Sequence, residues 1–447
     1  MSGTQRAGSF ADQVIVLFAT DVIASGIGFV NAFIFAKLLG PAGKGDYYLL
    51  VLPPQTIMVL IQFGLPQALG FYAARGKTSG IVGKALVLIT ALSLAAFTAA
   101  VALLPVLRET FLRGLEPTEI ILALSAIPVL LTATFMTSIV IARQAIRWYA
   151  AVHISTTLAA TFLLLLIVGV LGFGVMGAVA AFLIYSSFAA IGYLAGAIRV
   201  SAATPEPGRV RYRELFRFGL PLYPGSITMF FSYRIDVFIL AALLADPSAP
   251  LGYYSVAVTL AELVFWVPSS VSKIFFPRVA GSSREDADHQ VPAVSRVTLL
   301  LTALVALVLA PGATLLLWLL LPAFLPSLAP LYVLLPGVVA LSITRVVSGY
   351  VSGLGLTGTT SLVNIGAFVL NIAANFLLIP QFGIVGAAFA SLVSYSASSI
   401  AITLIAARLA HAPVHDFWLP RRADLLFVTT TMRALGRRML GAIRRGR

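Results

Sequence analysis

The chain contains no cysteine among its 447 residues, so it can form neither a disulfide nor a thiolate metal site. Histidine is nearly as scarce. The four histidines are scattered without the spacing of metal ligands: His153, His289, His411 and His415. No segment resembles a nucleophile elbow, a P-loop or a metal box. We therefore expect no enzymatic activity and no metal or other cofactor.

Charged residues are also rare, at 10% of the chain, whereas hydrophobic residues make up 60%. With a mean hydropathy of +1.00, this composition excludes a soluble globular protein. A bilayer core of about 30 Å requires about 20 residues of helix. We predict an all-α integral membrane protein with twelve spans, near residues 14–38, 47–73, 84–107, 119–142, 148–171, 174–198, 220–245, 252–277, 295–321, 330–353, 359–380 and 384–408.

Most lysine and arginine residues lie in alternate loops, which all fall on one predicted side of the membrane. With the N-terminus placed inside, 24 of the 30 basic residues lie in cytoplasmic segments and four in the opposite loops. Short loops rich in Lys and Arg stay in the cytoplasm. We therefore predict that both termini are cytoplasmic. The net charge of +14 is interpreted as this topology signal, and no nucleic-acid partner is expected.

Two short motifs recur at nearly the same distance along the chain. Phe173-Gly-Val-Met-Gly-Ala178 reappears as Phe382-Gly-Ile-Val-Gly-Ala387, and Gly45-Asp-Tyr47 matches Gly252-Tyr-Tyr254. The recurrence indicates an internal duplication with six helices in each half, related by an axis along the membrane normal. The predicted organisation is two six-helix bundles, residues 1–200 and 216–408, a cytoplasmic linker, 201–215, and a basic cytoplasmic tail, 409–447.

The tail has two interpretations that the sequence leaves open. Residues 425–447 place apolar side chains on one helical stripe and arginines opposite, a pattern typical of an amphipathic helix on the cytoplasmic leaflet. Gly436 and Gly441 weaken such a helix, and a disordered tail is the alternative.

Five charged residues lie inside the apolar spans and more than five residues from the predicted span ends: Asp21, Arg234, Asp236, Glu262 and Arg345. A charge at that depth costs about 2.5–3.5 kcal/mol on insertion scales, so it usually faces a wet cavity or a partner. Residues two apart on a helix do not share a face. Arg234 and Asp236 therefore cannot both point into one cavity, and we expect one of them to pair with another helix.

Several motifs resemble those of the polysaccharide-export, Wzx-type flippases of the multidrug/oligosaccharidyl-lipid/polysaccharide superfamily. They are Leu39-Gly-Pro-Ala-Gly-Lys-Gly-Asp-Tyr47, Phe218-Gly-Leu-Pro221, Arg234-Ile-Asp236, Gly252-Tyr-Tyr-Ser-Val-Ala257, Leu378-Ile-Pro380 and the second copy of the repeated motif. The resemblance implies two bundles around a central cleft lined by the first, second, seventh and eighth helices. It further implies alternating-access export of polyprenyl-diphosphate-linked oligosaccharide across the bacterial inner membrane, for cell-surface polysaccharide synthesis. The implied partners are this substrate, membrane lipids, a coupling proton or sodium ion, and polysaccharide polymerases.

Three alternative functions stay open. A cation-coupled drug or metabolite antiporter of the same superfamily would favour an acidic cleft without arginine. A peptidoglycan-precursor flippase usually has fourteen helices. A membrane glycan ligase, the alternative that is an enzyme, usually presents a large outer loop, which is absent from this sequence.

The resemblance also suggests roles for the residues inside the spans. Arg234 and Arg345 are candidate diphosphate contacts, because guanidinium offers forked donors to phosphate oxygens. An interhelical salt bridge is the alternative for Arg234, and a snorkelling side chain for Arg345. The carboxylates are candidates for ion coupling or for pairing with the arginines: Asp21, Asp236 and Glu262. The amides are candidates for a polar cleft lining: Asn31, Gln62, Gln67, Asn371 and Asn375.

Overall fold

The computed structural model describes residues 3–202, 210–281 and 283–426. Within these ranges the secondary structure consists of helices and turns, which confirms the predicted all-α fold. The helices form two compact units, residues 1–255 and 256–447. The predicted bundles instead divide the chain at 201–215, and that division stays a prediction. The predicted tail helix lies almost wholly outside the described residues.

The first unit contains eleven helices and the start of a twelfth. They are α1 (Gly3–Ile61), α2 (Leu65–Ala74), α3 (Ile81–Ala102), α4 (Leu104–Thr110), α5 (Pro117–Leu124), α6 (Ile127–Ala142), α7 (Ile146–Leu163), α8 (Gly174–Ala202), α9 (Tyr212–Gly219), α10 (Tyr223–Ser232), α11 (Ile235–Leu243) and α12 (Ser248–Glu262). A π-helical segment, Leu164–Val170, follows α7 directly. Such wide turns are rare and occur mostly as interruptions of α-helices.

The second unit contains the rest of α12 and five further helices. They are α13 (Trp266–Gly281), α14 (Arg284–Leu320), α15 (Leu328–Gly353), α16 (Thr357–Leu409) and α17 (His415–Trp418). The helix α15 packs extensively against α13, α14 and α16, and these helices carry most of the apolar core of this unit.

Nine helices within the described residues are long and apolar enough to cross a membrane, or ten if the bent pair α10–α11 is one span. Two of them, Ala19–Ile61 and Thr357–Leu409, have 43 and 53 residues and each covers two predicted spans. Each breaks at a glycine with positive φ, Gly40 at 67° and Gly383 at 57°. Glycine adopts this conformation without steric cost. The count of twelve spans stays a prediction.

The repeated motif has the same local geometry in both copies. Gly174 and Gly383, its first glycines, both have positive φ, at 54° and 57°. The second glycines, Gly177 and Gly386, both lie against the end of the preceding helix, where an added Cβ would clash with Ile167 or with the Leu378 backbone. Both copies need glycine for the same two reasons, the positive φ and the lack of space for a Cβ. The two copies are therefore alike in local structure as well as in sequence.

The segment after α16 folds back onto the second unit. Phe417 in α17 is completely buried within a cluster that includes Val291, Ile343 and Tyr350. Burying a side chain of this size stabilises the fold by about 1.5–3 kcal/mol. The sequence predicts a basic tail from residue 409, but the described part of that segment is docked onto the helices.

A buried ion pair holds the docked segment. Arg296 of α14 contacts Asp424 at 2.6 Å, and its guanidinium also donates to the backbone carbonyl of Asp416 at 2.6 Å. Burial alone would raise the pKa of Asp424. Hydrogen bonds from Arg296 and from the Arg421 backbone N–H outweigh it and hold that pKa below its ordinary value.

We predict that Asp424→Asn destabilises the protein by about 3 kcal/mol, because it leaves a buried guanidinium without its counter-charge. The measurement is thermal unfolding in detergent at neutral pH. A matched control is Arg284→Ala, which removes an ion pair whose arginine is 64% exposed. Exposed pairs contribute about 0–1 kcal/mol. An equal loss of stability in both variants would contradict a stabilising role for the buried ion pair.

The same pair has a definite pH dependence. The pKa of Asp424 in the folded state lies below its value of about 3.9 in the unfolded state. The contribution of the ion pair to the free energy of unfolding is therefore complete above the unfolded-state pKa. It is lost as pH falls through the lower, folded-state pKa. The difference in stability between the unmodified protein and Asp424→Asn should therefore shrink in acid.

Candidate functional site

Arg234 lies at the break between two helical segments, Tyr212–Ser232 and Ile235–Leu243, that together are long and apolar enough for one membrane span. The helices α10 and α11 meet there at an angle of 52°, and Arg234 is the residue immediately before α11. Its side chain is half-buried, and its guanidinium donates to the hydroxyl of Tyr48 in α1. The guanidinium carbon lies 5.6 Å from the centre of the Tyr48 ring. The break thus places an arginine beside the start of α11, where the backbone N–H of Val237 donates to the Asp236 carboxylate.

Asp236, two residues later, turns to a different helix. It is 9% exposed and accepts a hydrogen bond from the hydroxyl of Tyr254 in α12. Its other oxygen accepts from the backbone N–H of Val237 at 2.9 Å. Arg234 therefore contacts α1 and Asp236 contacts α12, in keeping with the expectation that the two side chains do not share a face.

Asp21 of α1 lies in a second group of titratable side chains within the first unit. The hydroxyl of Tyr149 donates to its carboxylate at 3.4 Å. The Tyr149 ring stacks on His153, with centroids 5.3 Å apart, and on Tyr193 at 6.1 Å. Both Asp21 and His153 are partly exposed.

The three amides of the first half have different surroundings. Asn31 is buried and accepts from the Thr161 hydroxyl at 2.7 Å, which fastens α1 to α7. Gln62 is buried at the turn between α1 and α2. Gln67 donates to the Ser226 hydroxyl at 3.3 Å and is exposed. Of the three, Gln67 is the amide accessible to a ligand.

The two amides of the second half bind each other. Asn375 is completely buried and donates to the Asn371 side chain at 2.9 Å. Asn371 in turn donates to Ser394 at 3.1 Å. The structure therefore places both residues inside the second unit, where they join the two halves of α16.

The remaining two charged residues belong to the second unit. Arg345 of α15 is half-buried, with its guanidinium carbon 5.6 Å from the centre of the Phe265 ring. Its backbone carbonyl accepts from Ser272 at 3.2 Å. Glu262 is exposed at the end of α12.

A group of aromatic side chains joins α2 to α9 and α10. Phe71 stacks on Phe218 with ring centroids 4.1 Å apart, and Phe63 lies 5.4 Å from Tyr223. We call these four rings the aromatic contact. Phe63 and Phe71 lie in the second predicted span, Tyr223 lies in the seventh, and Phe218 lies just before it, so the contact links the two sequence halves within the first unit.

Sequence analysis did not single out the tyrosines that position the charges. Tyr48, Tyr149 and Tyr254 each bond a charged residue, yet aromatic residues make up 11% of the chain. Being a tyrosine therefore does not by itself mark a residue as a partner of a charge. Tyr254 could have been noticed from the sequence, because it lies in the repeated motif that begins at Gly252.

Comparison with known families identifies the chain. The model of the family described as polysaccharide biosynthesis protein matches residues 10–281, more than half of the sequence. The chain belongs to this family. The probable flippase AglR of Haloferax volcanii is 29% identical over 156 residues. That match spans 33% of this chain and 33% of the relative.

Solved structures show the same fold. The lipid II flippase MurJ in an inward closed conformation matches with a TM-score of 0.68 and 14% identity, over 90% of this chain and 89% of that one. An inward-facing multidrug resistance MATE transporter matches with a TM-score of 0.62 and 14% identity, over 89% and 98%. The chain thus has the fold of these transporters, which confirms the predicted fold class.

Proposed function

We propose that this protein is a flippase that moves polyprenyl-diphosphate-linked oligosaccharide from the inner to the outer leaflet of the bacterial inner membrane. It acts as a transporter, not as an enzyme, and supplies cell-surface polysaccharide synthesis, with polysaccharide polymerases taking up the product. The family, the similarity to a probable flippase and the fold support a transported lipid-linked cargo. The single observation that carries the cargo assignment is Arg234 at the α10–α11 break.

The diphosphate is the part of this cargo that Arg234 fits. A guanidinium stays charged at every physiological pH and offers two parallel donors to phosphate oxygens. The Tyr48 hydroxyl accepts a hydrogen bond from the guanidinium and so orients it. Arg345 is the proposed second contact for the anionic headgroup.

The cargo would cross by alternating access, in which the two six-helix bundles rock about the binding site. Both termini face the cytoplasm in this scheme, and the polyprenyl tail stays in the lipid. Asp21 is the proposed site of a coupling proton or sodium ion, because its carboxylate is partly exposed and lies beside Tyr149 and His153. Asp236 is the weaker candidate, since Tyr254 and the helix backbone already bind it.

A cation-coupled antiporter for drugs is the second candidate function. The similarity to MATE transporters and the acidic residue in the first span favour it. A half-buried arginine in the path opposes it, because a cationic drug would be repelled there. A peptidoglycan-precursor flippase would also carry a diphosphate and would use Arg234 in the same way, so the glycan distinguishes the two flippase assignments.

We predict that Arg234→Lys impairs transport while Arg234→Ala is worse. An ammonium keeps the charge but cannot reproduce the forked contact with a diphosphate. The measurement is complementation of a flippase-deficient strain, after each variant is shown to reach the membrane. Arg213→Lys, at an exposed position in α9, is the matched control and should complement fully.

The salt-bridge interpretation of Arg234 gives the opposite result. If the arginine only balances a carboxylate, lysine would largely replace it. Neutralising both partners, as in Arg234→Gln with Asp21→Asn or with Glu262→Gln, would then restore transport. Full rescue by either double variant would end the assignment of Arg234 to the diphosphate.

We predict that Asp21→Asn removes the dependence of transport on an ion gradient, because an amide neither binds nor releases a proton. Transport is measured in sealed vesicles with and without a proton or sodium gradient. Asp246→Asn, on an exposed turn, is the control and should keep the dependence. Gradient-independent transport by the unmodified protein would contradict a coupling role for any carboxylate.

A further inference from the structure

Two cations lie over aromatic rings at the end of α2. The Arg75 guanidinium carbon is 4.2 Å from the centre of the Phe71 ring, and the Lys77 ammonium is 5.5 Å from the centre of the Tyr72 ring. The two rings are 5.2 Å apart. Both lie beside Phe218 of α9, with ring centroids 4.1 Å and 6.2 Å away. We call these five residues the cation–ring cluster.

The way in which α2 ends positions the second cation. Gly76 lies between the two cations and has a φ of 79°, a conformation that glycine adopts without steric cost. Its backbone N–H donates to the Ala73 carbonyl, and the N–H of Lys77 donates to the Tyr72 carbonyl, both at 3.1 Å. This pair of bonds is typical of a helix that ends at a glycine. It brings Lys77 back to Tyr72, the residue whose ring it covers.

The cluster keeps both of its positive charges. An aromatic ring attracts a cation through its quadrupole but has no net charge with which to balance it. The segment 74–84 contains no acidic residue, and within the described ranges neither Arg75 nor Lys77 forms an ion pair. The acid of α9, Glu214, accepts from the backbone N–H of Arg211 at 2.7 Å. Arg75 is exposed and Lys77 is half-buried, so an anion can reach both.

The cluster lies at a predicted boundary of the membrane. Arg75 and Lys77 follow the second predicted span, 47–73, and Phe218 lies just before the seventh, 220–245. In the predicted topology this boundary faces the cytoplasm, at the level of the lipid phosphates. The family resemblance implies that the second and seventh helices line the cleft. The cluster therefore belongs at the inner mouth of that cleft.

We propose that the cation–ring cluster is a capture site, which binds the diphosphate of the cargo in the cytoplasmic leaflet before the cargo reaches Arg234. This inference rests on the proposed flippase function and on the predicted topology. Two cations held side by side suit two linked phosphoryl groups better than the single phosphate of an ordinary phospholipid. The Arg75 guanidinium offers forked donors to the phosphate oxygens, and the Lys77 ammonium adds a point charge. Because the rings already hold both long side chains, less conformational entropy is lost on binding.

The test is equilibrium binding of farnesyl diphosphate, a short prenyl diphosphate, to the purified protein in nanodiscs of phosphatidylcholine, which has no net charge. Replacing both cations, as Arg75→Gln with Lys77→Gln, should weaken binding about tenfold, because each cation attracts the anionic headgroup. The matched control is Arg147→Gln with Arg408→Gln. It removes two exposed arginines from the same predicted side of the membrane, and it should leave the affinity unchanged.

Two further measurements separate the capture site from other sources of binding. Binding should persist in Arg234→Ala, which lacks the proposed central contact, and phosphatidylglycerol added to the nanodiscs should not displace the probe. Displacement by phosphatidylglycerol would overturn the proposal, because the cluster would then take any anionic headgroup. Equal weakening by the two double variants would also overturn it, since overall charge would explain the result.

The binding assay also distinguishes this proposal from the proposed function. If Arg234→Ala abolishes binding while the double variant of Arg75 and Lys77 binds normally, the capture site is wrong and the flippase assignment stands. If the unmodified protein does not bind farnesyl diphosphate, both the capture site and recognition of a diphosphate cargo are contradicted.

Discussion

A charged or polar group in hydrocarbon must find its partners within the protein, because no water is present to supply them. The α10–α11 break shows how this chain meets that requirement. Breaking the span frees backbone groups, and the two charges at the break turn outward to tyrosines on α1 and α12. The Tyr48 hydroxyl accepts a hydrogen bond from Arg234, and the Tyr254 hydroxyl donates one to Asp236.

The same requirement explains where the helices are interrupted. Gly40, Gly174 and Gly383 supply the positive φ that turns the chain with almost no loop, so few backbone groups are left without partners in the apolar region. Closely approaching glycines then join helices by backbone contact at Gly45 and Gly252. At the end of the second unit, side chains rather than glycine contacts hold the chain in place. There the Arg296–Asp424 pair and a buried phenylalanine fix the segment that follows the last long helix.

Hydropathy and glycine spacing were sufficient to predict an all-α fold and the repeated motif, because both act over short stretches of sequence. The spacing of Arg234 and Asp236 also predicted that they face apart. Their partners could not be predicted, since Tyr48 lies 186 residues from Arg234 and nothing local marks it. Docking of residues near Phe417 was missed for the same reason: Asp424 and Arg296 are 128 residues apart. Long-range pairing depends on packing geometry that one sequence does not contain.

The most direct test of the central claim is reconstitution of the purified protein into sealed vesicles that carry polyprenyl-diphosphate-linked oligosaccharide in the inner leaflet. A glycan-cleaving enzyme added outside reports how fast the cargo reaches the outer leaflet. The account predicts that transfer is faster than in protein-free vesicles and that excess soluble diphosphate-linked sugar slows it. Transfer no faster than in protein-free vesicles, together with gradient-driven movement of a cationic drug, would contradict the account and support the antiporter.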